Sequence, residues 1–134
     1  MLPESSAPGI MHIGELAEKT SLSLRTIRHY DDVGLLKPRG RTDGGFRLYS
    51  DDDVEQLLLI RRMKPLGFSI EEMGQMLALI AALRDDDNDN DNDDDLSAER
   101  EALAAFIDQA RERRLKLRDY VLRADELVDL MEAL

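Results

Sequence analysis

Residues 13–50 read IGELAEKTSLSLRTIRHYDDVGLLKPRGRTDGGFRLYS. Ile13, Leu16 and Ala17 recur at helical spacing while Glu15, Glu18 and Lys19 point the other way, so a helix is expected from Ile13 to Thr20. Ser21-Leu22-Ser23 is a short turn, and the Ser23 hydroxyl suits an N-cap because it accepts from a free backbone N–H. The next helix is expected from Leu24 to Val33. Two short helices on so tight a turn form a helix-turn-helix. On the second helix Leu24, Ile27 and Tyr30 share the side that should pack on Leu16, and Arg25, Arg28 and His29 share the opposite side. Gly34 stops that helix and Pro38 prevents its resumption. Lys37 to Tyr49 then reads as a hairpin, with Asp43-Gly44-Gly45 as its turn and Phe46 to Tyr49 as its returning strand.

Ser50 with Asp53 is a capping-box pattern opening a third helix, on which Val54, Leu57 and Leu58 are apolar. Pro65 and Gly67 end it. Ser69 with Glu72 is a second box, opening a fourth helix with Ile70, Met73, Leu77 and Ile80 on one face. Residues 1–10 read as a disordered tail, with Met11 beginning the folded part. Residues 11–84 form the expected globular module. Residues 85–96 are an acidic linker: Asp85 to Asp95 is only Asp and Asn, and like charges repel. Residues 97–134 read as one long helix. Its seam, Leu103, Ile107, Ala110, Leu117, Val121, Ala124, Val128 and Met131, alternates steps of three and four and is interrupted at Arg114. Phe106, Tyr120, Leu127 and Leu134 widen the stripe. A lone helix of this kind needs a partner to cover its seam, and a second copy is the simplest one.

A net charge of −11 argues against a polyanionic partner until its distribution is read. Eight Asp lie between Asp85 and Asp95. From Lys19 to Arg47 there are seven basic residues against three acidic ones. The field at a contact surface is local, so the first half of the chain can still face phosphates. There is no cysteine, which excludes disulfides and thiolate metal sites. No nucleophile motif, Gly-rich phosphate loop or His cluster is present, so neither an enzyme, a cofactor nor a metal is expected. The apolar run Met76 to Leu83 is far below the ~20 residues of a membrane span, and residues 1–10 do not form a secretory signal. A cytoplasmic protein is expected.

The ordered phrases over roughly 70 residues resemble the DNA-binding half of the mercury-resistance-regulator (MerR) family. They are Arg28-His29-Tyr30-Asp31-Asp32-Val33-Gly34-Leu35-Leu36, then Gly45-Phe46-Arg47-Leu48-Tyr49, then Leu66-Gly67-Phe68-Ser69 with Ile70-Glu71-Glu72-Met73. The resemblance implies a mainly α protein: a winged helix-turn-helix domain followed by a long dimerising helix in an antiparallel coiled coil. It implies a homodimer on a near-palindromic promoter operator, regulating transcription by DNA distortion beside RNA polymerase. The expected DNA-binding residues are Arg25, Thr26, Arg28, His29, Tyr30, Arg39, Arg41, Arg47, Tyr49 and Lys64. Family positions matching His29, Tyr30, Arg47 and Lys64 contact or adjoin the DNA backbone, and the wing arginines would lie near the flanking minor groove. The chain lacks the cysteines of metal-sensing members and the large ligand domain of others, so the resemblance names no small-molecule inducer.

Two other classes fit some of these features. An architectural DNA-bending protein can share the winged module but has no need of a long helix. A protein-interaction module would use the acidic run and the helix, with DNA binding secondary. The acidic run could also compete for the module's own basic face. Asp87-Asn88-Asp89-Asn90-Asp91 alternates oxygens like a calcium loop, but Asn92 stands where that loop needs Gly and Ala98 where it needs Glu. The apolar stripe of the last helix could alternatively line an inducer pocket.

Overall fold

The structure is a computed structural model describing residues 9–36, 40–41, 44–88 and 96–134, with backbone alone at 40, 41 and 86–88. Its elements are β1 (Ile10–His12), α1 (Ile13–Thr20), α2 (Leu24–Asp32), β2 (Gly40–Arg41), β3 (Arg47–Ser50), α3 (Asp51–Met63), a 3-10 turn (Lys64–Leu66), α4 (Ile70–Asn88) and α5 (Ser97–Glu132). They fall into two units, Met1–Leu77 and Ala78–Leu134. The mainly helical class expected from the sequence, with a small wing and a long last helix, is what the chain adopts.

In the first unit, α1 and α2 form the helix-turn-helix. Ser23 caps α2, its Oγ accepting from the Thr26 N–H at 3.0 Å. Ser21, in the turn between the helices, holds a left-handed backbone with φ 59°. α2 ends one residue earlier than expected. Gly34 takes φ 82°, and the N–H groups of Leu35 and Leu36 both donate to the Tyr30 carbonyl. Leu16, Ile27, Leu36, Leu57, Ile60 and Met73 are all but fully buried and form the aliphatic core. Leu24, expected in that core, is 40% exposed because it sits at the first position of α2, beyond the reach of the packed face.

Among the described residues the sheet has three strands in the order β1-β3-β2, all antiparallel. β2 and β3 make the expected wing, with Arg41 opposite Arg47. β1 was not expected. Ile10, assigned to the tail, starts a strand that pairs Met11 with Tyr49 and buries Met11. The Gly9 carbonyl accepts from the Asp51 N–H, which ties this strand to the start of α3.

Both capping boxes are present. The Ser50 N–H donates to Asp53 Oδ2 at 2.8 Å, and Ser69 and Glu72 exchange bonds of 2.9 and 3.1 Å. α3 gives way at Lys64 to the 3-10 turn, which holds Pro65 near its start, and Gly67 takes φ 81°. Arg61 of α3 donates to the Thr20 carbonyl at 2.7 Å and so closes the C-terminal end of α1.

In the second unit, α4 runs through Asn88 and so enters the acidic run expected to be a linker from Asp85. Asp and Asn are only a few tenths of a kcal/mol poorer than average in a helix, and extending a formed helix is easy compared with starting one. The rest of that run, 89–95, lies outside the described residues. α5 is 36 residues long, about 54 Å at 1.5 Å per residue. Leu103, Phe106 and Ala110 are half-buried, and every residue from Arg114 onward is exposed. Among the described residues no helix is long and apolar enough to cross a membrane.

Candidate nucleic-acid interface

α2 presents Arg25, Arg28 and His29 on its exposed side, as its periodicity requires, with Ile27 and Tyr30 buried beneath them. Thr26 lies between the two sides. It is half-buried, and its Oγ1 accepts from the Ser23 Oγ at 2.9 Å, so it completes the cap. Lys64 is exposed at the start of the 3-10 turn. An open groove of about 340 Å³ runs between α2 and the wing, lined by Ile13, Arg28, Asp32, Gly45, Phe46 and Arg47. Phe46 is 67% exposed there, its ring edge-on to His12 at 6.4 Å.

Three of the expected DNA-binding residues are engaged inside the fold. Tyr30 is 3% exposed and Tyr49 is not exposed at all, so both are core residues. Tyr49 faces inward because it stands on the buried side of β3, paired with Met11, and its hydroxyl donates to Asp31 Oδ2. Arg47 lies two residues earlier on the same side of the strand. Its Nη1 donates to the same Asp31 oxygen at 2.9 Å, and its Nη2 lies 3.9 Å from Asp32 Oδ1. The Asp31 side chain keeps 2% of its exposure. Arg39 and the side chain of Arg41 lie outside the described residues.

The electrostatics of this corner follow from its geometry. Asp31 and Asp32 sit at the C-terminal end of α2, where the helix dipole disfavours negative charge. Arg47 brings the compensating charge from β3. The oxygen of Tyr49 and then the carboxylate of Asp31 hold its guanidinium more firmly protonated than usual. Burial, and then Asp31, push the Tyr49 phenol up to about 12, so it remains a donor at neutral pH. The sequence reading missed Asp31. Its partners lie 16 and 18 residues away, beyond any local periodicity.

The family model for MerR HTH regulatory proteins matches residues 11–85. The chain belongs to the MerR family. It is similar to an HTH-type transcriptional regulator of Pseudomonas aeruginosa, 37% identical over 91% of this chain and 83% of that protein. It is also similar to the heavy metal-dependent transcription regulator 2 of Rhizobium meliloti, 42% identical over 52% of this chain. The chain covers 47% of that relative's length, so about half of the rhizobial protein has no counterpart in the match. Among solved structures, a MerR family regulator from Bacillus cereus is similar at 28% identity, with a TM-score of 0.62 over 92% of this chain and 78% of that one. HiNmlR, a MerR family regulator lacking the sensor domain and solved bound to promoter DNA, is similar at 26% identity. Its TM-score is 0.64 over 92% of this chain and 88% of that one. The protein is thus a DNA-binding transcriptional regulator of MerR type, and its family comprises regulators rather than enzymes.

Proposed function

We propose that this MerR regulator binds a near-palindromic promoter operator as a homodimer and controls transcription by distorting the DNA. The observation that carries the proposal is the exposed seam of α5. Leu117 is 38% exposed, Val121 59%, Val128 45% and Met131 54%, on a helix whose last half has no cover among the described residues. Water-exposed apolar rows of this length are unfavourable, and pairing with the same row of a second copy removes them. A dimer doubles the α2 and wing contacts and so sets a two-fold operator. The protein's contact energy then offsets the deformation of the DNA between the half-sites, where RNA polymerase acts. In this arrangement Arg25, Arg28 and His29 enter the major groove, and the wing and Lys64 meet flanking phosphates. A small-molecule inducer remains a compatible partner with no assigned chemistry. Selection from a random DNA pool at stated salt tests the proposal. One inverted repeat should emerge, and Arg28→Ala should weaken its binding by roughly 10–100-fold, the usual worth of a base-reading Arg. Unselective, salt-sensitive binding by the wild-type protein would sink it.

A further inference from the structure

We infer that Asp31 is a positioning residue for DNA recognition: it locks the wing to the recognition helix through Arg47 and Tyr49. The inference rests on the DNA-binding reading above and assigns Arg47 a different part in it. α2 and β3 scarcely approach each other through their backbones, and each packs instead on α1. A side chain that bridges them therefore ties α2 to β3 directly, beside what their shared packing on α1 fixes. Asp31 supplies that link, one buried carboxylate oxygen receiving both the Arg47 guanidinium at 2.9 Å and the Tyr49 hydroxyl. Its other oxygen, Oδ1, is buried and has no hydrogen-bond partner among the described residues. A buried carboxylate is a poor source of net stability, because desolvation offsets much of the attraction. What such a network does supply is a single arrangement of the elements that meet at it. Here those elements are the helix that reads the groove and the strand that carries the wing.

Two roles for Arg47 give opposite signs. If Arg47 is a phosphate contact, Asp31 merely neutralises it. Asp31→Asn would then free the guanidinium, remove a negative charge near DNA and tighten binding. If Asp31 is the lock, the same substitution leaves the wing loose and weakens binding to the operator. We expect a loss of roughly tenfold in operator affinity, in line with losing a charge-assisted hydrogen bond. Affinity for unrelated DNA should not fall, because no phosphate contact is removed. Arg47→Met added to Asp31→Asn should cost little more, since both break one unit.

The experiment measures binding of wild type, Asp31→Asn, Arg47→Met and the double variant to the selected operator and to unrelated DNA. Amide hydrogen exchange of the DNA-free proteins accompanies it. The lock predicts faster exchange in β2 and β3 of Asp31→Asn with α3 and α4 unchanged, whereas general destabilisation would speed all of them. Tighter operator binding by Asp31→Asn, or unchanged exchange in the wing, overturns the inference. If Asp31→Asn does not fold, Tyr49→Phe takes its place. Weaker operator binding with faster wing exchange supports the lock, and wild-type behaviour overturns it. Should the wild-type protein select no operator, the proposed function fails while the exchange data still judge the lock.

Discussion

At the residue scale, the side chains divide by how far away their partners lie. Arg25, Arg28 and His29 could be placed outward from the helical wheel of α2 alone, and they are exposed. Tyr49 and Arg47 could not be placed, because what fixes them is Asp31 on another element. An alternating strand shows that positions 47 and 49 share a face, but not whether that face meets water or a buried carboxylate. Tyr49 also carries a pH signature. Its phenol titrates near 12 in the folded chain against 10 in the unfolded one, so folding favours the protonated form. That contribution is complete below pH 10 and is lost as the pH climbs through 12. Urea midpoints measured from pH 8 to 12 should therefore fall more steeply above pH 10 for the wild type than for Tyr49→Phe. Parallel curves would show that the phenol is not held this way.

At the element scale, junctions with a local chemical cause were legible. Ser23, Ser50 with Asp53, and Ser69 with Glu72 each cap a helix as their spacing indicates, and Gly34 and Gly67 sit at positive φ where helices end. β1 was not legible, because three residues acquire strand character only by pairing with β3 some forty positions later. The end of α4 was misjudged for the opposite reason. Asp and Asn disfavour a helix too weakly to stop one that is already formed. One junction is visibly imperfect. Ser21 holds φ 59° at the turn of the helix-turn-helix, a conformation that suits Gly and costs a residue with a Cβ about 1 kcal/mol. Ser21→Gly should therefore raise the denaturation midpoint while leaving operator affinity unchanged, since among the described residues Ser21 donates only its backbone N–H, to Ala17. A lower midpoint would mean that the Ser side chain stabilises the turn in a way its backbone geometry does not reveal.

At the scale of the whole molecule, the acidic total and the DNA-binding role are reconciled by where the charge lies. The net −11 is concentrated in the Asp85–Asp95 run, away in sequence from the α2 face. What the single chain leaves incomplete is α5. The three-four spacing of its apolar row is readable in the sequence, and the row is exposed along the last half of the helix; its cover by a second copy is the proposal made above. This leads to a quantitative expectation. In a dimer both modules meet the DNA, and each neutralised phosphate adds about 0.9 to the slope of log affinity against log salt. A chain ending at Asn88 keeps the helix-turn-helix, the wing and the buried residues from Met11 to Leu77 but loses the seam. Its salt slope should fall to about half that of the full chain, because half the phosphate contacts are gone. Its affinity should fall much further, because the second half-site no longer binds at high effective concentration. Sedimentation should show the full chain as a dimer and the shortened chain as a monomer. If both bind with the same slope and affinity, the seam does not serve recognition, and the module bends or marks DNA as a single copy. If the slope halves while the shortened chain remains folded by circular dichroism, the two-fold operator and the long helix are parts of one device.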